Sequence, residues 1–268
     1  MGKRSSIWTK EKLDRYIKQG RGQGELENYK PWLNTQDFSS KGRASRILGN
    51  TTKRVHHFFS DLESKCFYIW DWEENVIDIR EHYPLINLED LVNVNDINLG
   101  LFKDKHSSVQ YILCTTFLLT IKDFNGNKKY CARSVKYKNE LLKRTTLERL
   151  ELERRYWNYM NIDWGIITED EVQMEKVRNI EWIHDVMNQY SKYDIDKKEM
   201  VSLCSKLIIY LEVSRLPLKK CFKDFDSVNG LKIGTSIFLF KYLIGSRFIK
   251  INLGKAINLN LTYREVIE

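Results

Sequence analysis

The chain has 268 residues, of which 42% are hydrophobic and only three are proline, so it can bury the core of one large or two modest domains. Its five cysteines form no C-x-x-C pair, and no segment resembles a signal peptide or a membrane span, which argues against a disulfide scaffold, a zinc ribbon or a membrane protein and predicts a cytoplasmic location. The net charge of +8 comes from residues 1–58, which contain 13 of the 44 Lys and Arg but only 5 of the 36 Asp and Glu.

This local positive charge predicts a polyanionic partner, of which nucleic acid is the commonest. The candidate DNA-binding residues are Arg21, Lys41, Arg43, Arg46, Lys53 and Arg54. A basic tail that only contacts solvent is the alternative, although the interspersed aromatic residues and glycines argue against it. Thr9 caps a predicted helix over 10–18, a glycine-rich stretch (20–24) ends it, and residues 39–54 are expected to form a basic loop.

A helix and a hairpin are predicted in the middle of the chain. The elements are a helix over 60–70, strands over 76–80, 111–120 and 130–136, and a turn at 125–127. The stretch "YILCTTFLLT" (111–120) contains no charged residue, which is typical of a buried strand. The Asn-Gly-Asn turn joins it to the next strand as a hairpin.

Two domains are predicted, because the chain becomes polar around residues 190–198. The first, over 1–190, ends with a helix over 145–160, a strand over 164–168 and a helix over 172–190. The second, over 191–268, contains helical segments at 200–211 and 234–244 and two alternating runs at 248–253 and 257–261. Helices followed by a small hairpin favour a winged-helix module, although any small α+β domain shows the same order.

Several residues could take part in metal-dependent phosphodiester cleavage, which needs carboxylates to hold divalent ions and a lysine to stabilise charge. Glu63 on a helix and Lys136 on the hairpin fit this need, but the pattern is common by chance. Ser60 to Glu63 also reads S-x-x-E, a capping box. A solvated lysine is the alternative for Lys136, and packing or a phosphate contact is expected for His56 and His57.

Five longer strings make the pattern more specific. In chain order they are "GRGQG" (20–24), "YKPWL" (29–33), "RVHHFFSDLE" (54–63), "DIREHYPL" (78–85) and "TLERLELERRYW" (146–157). Together they closely resemble the TnsA family, the endonuclease subunits of heteromeric Tn7-like bacterial transposases, up to about residue 190. The charges of the last string, Glu153 among them, are typical of a solvated helix face, or else of a contact with a partner or DNA.

The resemblance implies a fold and an activity. The fold is α/β, with a restriction-endonuclease-like core of the PD-(D/E)xK type and a smaller winged-helix-like C-terminal domain. The activity is a Mg²⁺-dependent cleavage of the 5′ strands of double-stranded DNA at transposon ends, with Mn²⁺ as the alternative ion. The implied partners are a TnsB-type transposase, which joins the 3′ ends, and an ATP-dependent TnsC-type regulator. The expected location is the bacterial cytoplasm, at the nucleoid during transposition.

The resemblance also assigns the site residues. Glu63 matches the family's helix carboxylate, Lys136 matches its lysine, and Val135 would offer a backbone carbonyl to the metal. The second carboxylate belongs where the family reads S-T-D-F-L, and here the letters are C-T-T-F-L, so Thr116 stands at the catalytic aspartate position. Ser134 likewise replaces a larger polar residue. A neutral hydroxyl is a poor Mg²⁺ ligand, and Asp78 is the candidate for compensation, with Arg80 as a supporting or ion-pairing residue.

Three functional hypotheses follow. The chain is a working endonuclease that tolerates Thr116 through Asp78 or through a single metal ion. Alternatively, it is a non-catalytic subunit that binds transposon ends and assembles the complex, in which case the products are cointegrates. The third hypothesis, a DNA-binding regulator unrelated to transposition, rests only on the C-terminal domain.

Overall fold

The computed structural model describes residues 7–37, 43–188 and 196–267. The chain divides into two compact units, Met1–Val172 and Gln173–Glu268. This boundary differs from the one predicted at residue 190, because helix α5 (Met174–His184) packs against α8 (Thr235–Gly245) inside the second unit. Residues 189–195, around which the boundary was predicted, lie outside the described part of the chain.

The first unit is built around a four-stranded sheet. Its strands are β3 (Val76–Pro84), β4 (Cys114–Lys122), β5 (Lys128–Val135) and β6 (Asp163–Ile167), in that spatial order. The first three are antiparallel, which confirms the predicted hairpin, and β6 runs parallel to β5. Helix α4 (Arg144–Tyr159) connects β5 to β6, since a parallel pair requires a crossover.

Helices cover both faces of this sheet. On one face, Leu118 of β4 packs in a core cluster with Leu152 and Trp157 of α4. On the other, Phe117 contacts Trp70 of α2 (Asp61–Trp72), with the ring centroids 4.8 Å apart. Because adjacent strand residues point to opposite faces, β4 is buried on both sides. This double burial explains why the predicted central strand contains no charged residue.

A second hairpin was not predicted from the sequence. Strand β1 (Ser45–Leu48) pairs antiparallel with β2 (Val55–Phe58), where a basic loop and a helix entry were expected. The buried residues near this hairpin include Arg54 and His56, which are polar types that do not give an apolar alternation. The basic-loop prediction was therefore wrong for residues 45–48, and residues 38–42 lie outside the described part of the chain.

The second unit is helical over its described residues. Its helices are α5, α6 (Lys197–Val213), α7 (Leu218–Val228), α8 and the short α9 (Tyr263–Val266). The hairpin predicted over 248–261 is not formed: the Asn179 side chain on α5 donates to the carbonyls of Leu253 and Lys255, and the Lys219 N–H donates to Leu259. Bonds to helices thus replace the pairing between the two runs. No helix in the described residues is long and apolar enough to cross a membrane.

Candidate active site

Glu63 lies in the first turn of α2, where Ser60 is the N-cap residue. The Ser60 hydroxyl accepts a hydrogen bond from the Glu63 N–H at 3.2 Å, and Oε2 of Glu63 accepts one from the Phe59 N–H at 2.8 Å. Nε2 of His82 is 3.9 Å from the same oxygen. The capping role that the sequence predicted is therefore present, with the carboxylate bonding one residue before the cap, and it uses one of the two oxygens that could bind a metal ion.

Thr116 lies near the start of β4 and is buried. Its hydroxyl oxygen accepts a hydrogen bond from the Val135 N–H at 3.0 Å, so the side chain bonds to the neighbouring strand β5. This places Thr116 beside Val135, the residue that precedes Lys136. The hydroxyl brings no negative charge to the site, and one of its lone pairs is already used.

Glu153 is a buried acid that sequence reasoning assigned to a solvated or partner-contacting helix face. It is only 1% exposed and accepts hydrogen bonds from the hydroxyls of Thr115 and Ser134 and from Nε of Arg149. The solvated-face assignment was thus wrong for this residue. Its position four residues before Trp157, on the buried stripe of α4, was the signal that could have identified it.

Two tryptophans complete the network around Glu153. Nε1 of Trp157 donates to the Thr115 hydroxyl at 2.7 Å, and Nε1 of Trp164 donates to the Ser134 hydroxyl at 3.1 Å. The bonds connect β4, β5, β6 and α4. Ser134 is therefore a structural link to Glu153, and both of its bonds are internal to the protein. A buried polar network whose members are bonded in this way fixes the local geometry.

Lys136 directly follows β5 and is partly buried. Burial lowers the pKa of its ammonium group and the Arg149 guanidinium lowers it further, while the carboxylates of Glu153 and Glu63 act in the opposite direction. Lys136 is thus within electrostatic range of both acids. Thr116 bonds to Val135, which precedes Lys136, and the Glu63 carboxylate acts on the Lys136 ammonium group, so these four residues lie in one region.

Comparisons with known proteins decide the family. A profile described as TnsA-like endonuclease N terminal matches residues 73–169, and one described as TnsA endonuclease C terminal matches residues 171–253. Transposon Tn7 transposition protein TnsA of Escherichia coli is 34% identical over 260 residues, which is 97% of this chain and 92% of that protein. The chain belongs to the TnsA family. Its first unit therefore contains the restriction-endonuclease-like core, and the matched ranges meet close to the boundary at Val172.

Asp78 does not reach the position of the missing TnsA aspartate. It pairs across the strands with Thr120, four residues along β4 from Thr116, or roughly 13 Å away. Its Oδ1 accepts the Leu26 N–H, and its Oδ2 lies 3.4 Å from Nε of Arg80. Arg80 in turn donates to the Thr120 hydroxyl. Asp78 and Arg80 therefore form an ion pair away from Thr116.

The donor set does not fit the Mg²⁺ site that the TnsA family implies. Glu63 is a carboxylate already bonded to backbone, Thr116 is neutral, and Val135 would offer a neutral carbonyl. Glu153 is held by three donors, including a guanidinium. Among the described residues, no three His, Cys, Asp or Glu side chains are grouped so that they could hold a metal ion. Mg²⁺ sites in proteins use one or two carboxylates together with water and phosphate oxygens, and Thr116 supplies none of the negative charge of the second carboxylate that the family implies.

Two of the predicted DNA-binding cations are instead structural. Arg54 is buried and donates to both carboxylate oxygens of Glu81, which is fully buried. Glu81 also lies 2.8 Å from Nδ1 of His56. Arg21 forms an ion pair with Asp37 at 2.5 Å. Neither guanidinium is available to a phosphate without breaking these bonds.

Three other predicted DNA-binding cations are exposed. Arg43, Arg46 and Lys53 lie on or beside the β1–β2 hairpin, and Nε of Arg43 is 3.9 Å from the Asp61 carboxylate. Lys41 lies outside the described residues.

The adjacent histidines His56 and His57 point in different directions on β2, since His57 bonds to Thr35 while His56 bonds to Glu81. They do not form a metal pair.

Proposed function

We propose that this chain is a TnsA-type subunit that binds transposon-end DNA and assembles with a TnsB-type transposase and a TnsC-type regulator, without cutting the 5′ strands itself. The observation that carries the proposal is Thr116, a neutral and hydrogen-bonded side chain where the family's metal-binding aspartate belongs. Losing one carboxylate beside a divalent cation weakens binding by several kcal/mol at short range. The TnsB-type partner then performs all strand chemistry. The chain would act in the bacterial cytoplasm, on DNA of the nucleoid.

The remaining site residues support a structural role in this proposal. Glu63 caps the N-terminus of α2, and Glu153 connects the helix α4 to two strands. The positive charge of Lys136 balances the negative charges of these two acids. A site kept in this form preserves the shape of the core while it lacks the ligands for cleavage. The exposed cations of the β1–β2 hairpin supply part of the attraction to DNA.

A working Mg²⁺ endonuclease that cuts the 5′ strands is the competing function. Two of its residues, Glu63 and Lys136, are present and lie in one region. It would have to operate with Glu63 as its single carboxylate ligand, because Asp78 lies opposite Thr120, four residues along β4 from Thr116.

The products of transposition distinguish the two functions. In a reaction with the partner proteins, donor DNA and target DNA, uncut 5′ strands leave donor and target joined, so we expect cointegrates as the main product. Sequencing of product junctions across whole molecules measures their fraction. A majority of simple insertions, lost when Glu63→Ala is used, would instead establish the endonuclease. The Glu151→Ala variant, which changes a surface acid of α4, is the matched control.

A further inference from the structure

The turn between β4 and β5 presents one aromatic side chain fully to solvent. Phe124 is the most exposed large hydrophobic residue of the described chain, at 111%. The turn around it is fixed: the Asp123 N–H donates to the Asn127 carbonyl, and the Asp123 carboxylate accepts the N–H groups of Asn125 and Asn127, each at 2.9 Å. Gly126 adopts φ 80°, which favours glycine. The ring therefore projects from a hydrogen-bonded turn, and none of the described residues covers it.

Three lysines lie at the same end of the hairpin as this ring. Lys122 and Lys128 are directly opposite each other in the strand register, and Lys129 follows. All three are exposed, and the acid within the turn, Asp123, lies 3.5 Å from Lys129. Like charges that face each other across two strands destabilise the pair, and an exposed phenylalanine loses the free energy of burial. Neither feature stabilises this chain alone, so both favour a partner that is apolar in one place and negatively charged around it.

We propose that the hairpin tip, Lys122 to Lys129, is a DNA-contacting element in which the lysines bind phosphates and Phe124 inserts between base pairs. Duplex DNA meets both requirements, because its phosphates are anionic and its stacked bases accept apolar side chains inserted from the minor groove. The inference rests on the DNA-binding role proposed above and assigns it a second surface, distinct from the β1–β2 hairpin.

The tip lies far from the candidate active site. Asp123 is seven residues from Thr116 along the chain, or roughly 23 Å along an extended strand. A duplex that runs along this hairpin from Thr116 meets the tip about 7 base pairs away, at 3.4 Å per base pair. Contact at the tip therefore extends the bound length of DNA and does not enter the strand chemistry.

The test uses the full chain with its partner transposase and transposon-end DNA that carries 2-aminopurine at successive positions. Insertion of Phe124 unstacks one step, so fluorescence should rise at that position with the unaltered chain and not with Phe124→Ala. We expect Phe124→Ala to weaken DNA binding about tenfold, in line with one lost aromatic–base contact. Leu142→Ala, which removes another highly exposed apolar side chain (85%), should change neither reading. The double variant Lys122→Gln, Lys128→Gln should reduce the slope of the logarithm of the binding constant against the logarithm of the salt concentration by about 2, the value expected for two lost phosphate contacts.

Two results would overturn the inference. One is that Phe124→Ala binds DNA and changes the fluorescence as the unaltered chain does. The other is that Phe124→Ala keeps DNA affinity but loses affinity for the partner transposase measured without DNA, which would assign the tip to a protein contact. If the unaltered chain fails to bind end DNA alone and with its partner, the proposed function fails as well. Cleavage of the 5′ strands would overturn only the proposed function.

Discussion

Replacing Glu81 by alanine is expected to lower the free energy of unfolding by about 3–5 kcal/mol. Glu81 is fully buried and receives hydrogen bonds from the Arg54 guanidinium and from the His57 N–H, and its carboxylate contacts Nδ1 of His56. Removing the carboxylate leaves a buried guanidinium without its counter-charge, which costs more than the lost bonds themselves. Chemical denaturation at neutral pH, followed by tryptophan fluorescence, measures the change.

A surface acid with similar partners provides the control. Glu151 forms ion pairs with Arg154 and Arg155 on the outer side of α4, where solvent screens the charges. Glu151→Ala is expected to cost about 1 kcal/mol or less. If Glu81→Ala costs no more than Glu151→Ala, the bonds from Arg54, His56 and His57 to Glu81 do not stabilise the packing of the β1–β2 hairpin against β3.

The stability that Glu81 supplies should depend on pH. Burial alone raises the pKa of this carboxyl group, but the charges and hydrogen bonds of His56 and Arg54 outweigh burial and hold the pKa well below its usual value of 4.5. A carboxyl with a lowered folded-state pKa stabilises the fold above the unfolded-state pKa, and loses this contribution as the pH falls through the folded-state value. The unaltered chain and Glu81→Ala should therefore differ most in their free energy of unfolding near pH 6, and this difference should become smaller below about pH 4.5.

Replacing Thr116 by aspartate is expected to increase the affinity of the site for a divalent cation at least tenfold. We expect the new carboxylate to act together with Glu63, and the Val135 N–H that now bonds to the threonine hydroxyl can bond to a carboxylate oxygen instead. Two unit charges 4 Å apart attract by about 4 kcal/mol in a partly buried site, and tenfold in affinity requires only about 1.4 kcal/mol. Isothermal titration with Mn²⁺ measures the binding constant of both chains.

The double variant isolates the source of this gain. Adding Glu63→Ala to Thr116→Asp should return the affinity to that of the unaltered chain, because a single carboxylate remains. An unaltered chain that binds Mn²⁺ as tightly as Thr116→Asp would show that the threonine site already holds a metal ion, and the account of the donor set would then be incorrect.

The sequence predicted those elements whose burial follows from apolar periodicity. The strand β4 was found as an uncharged apolar run, its hairpin with β5 through the Asn-Gly-Asn turn, and the helix α4 through its amphipathic pattern. The hairpin of β1 and β2 was missed, since its burial depends on Arg54 and His56 meeting a distant acid. The predicted C-terminal hairpin was wrong for a similar reason, because the side chain of Asn179, which is distant in sequence, donates hydrogen bonds to the carbonyls of Leu253 and Lys255.

The candidate site shows the same limit. Glu63, Thr116 and Lys136 were found through resemblance, because their spacing alone is common by chance. Glu153 looked like one more charge on a charged helix, and only the packing of α4 reveals that Thr115 and Ser134 bind it. Asp78 seemed close enough to compensate for Thr116, but the strand register places it opposite Thr120. Register and helix rotation are properties of the folded chain that single residues do not encode.

The most direct measurement is cleavage of transposon-end DNA labelled separately on each strand, with the partner transposase and Mg²⁺ present, resolved on a denaturing gel. We predict cutting at the 3′ ends only, with the same products from the unaltered chain and from Glu63→Ala. A cut at the 5′ strand that depends on the unaltered chain and disappears with Glu63→Ala would contradict this account, because it would show that the threonine-containing site is a working nuclease.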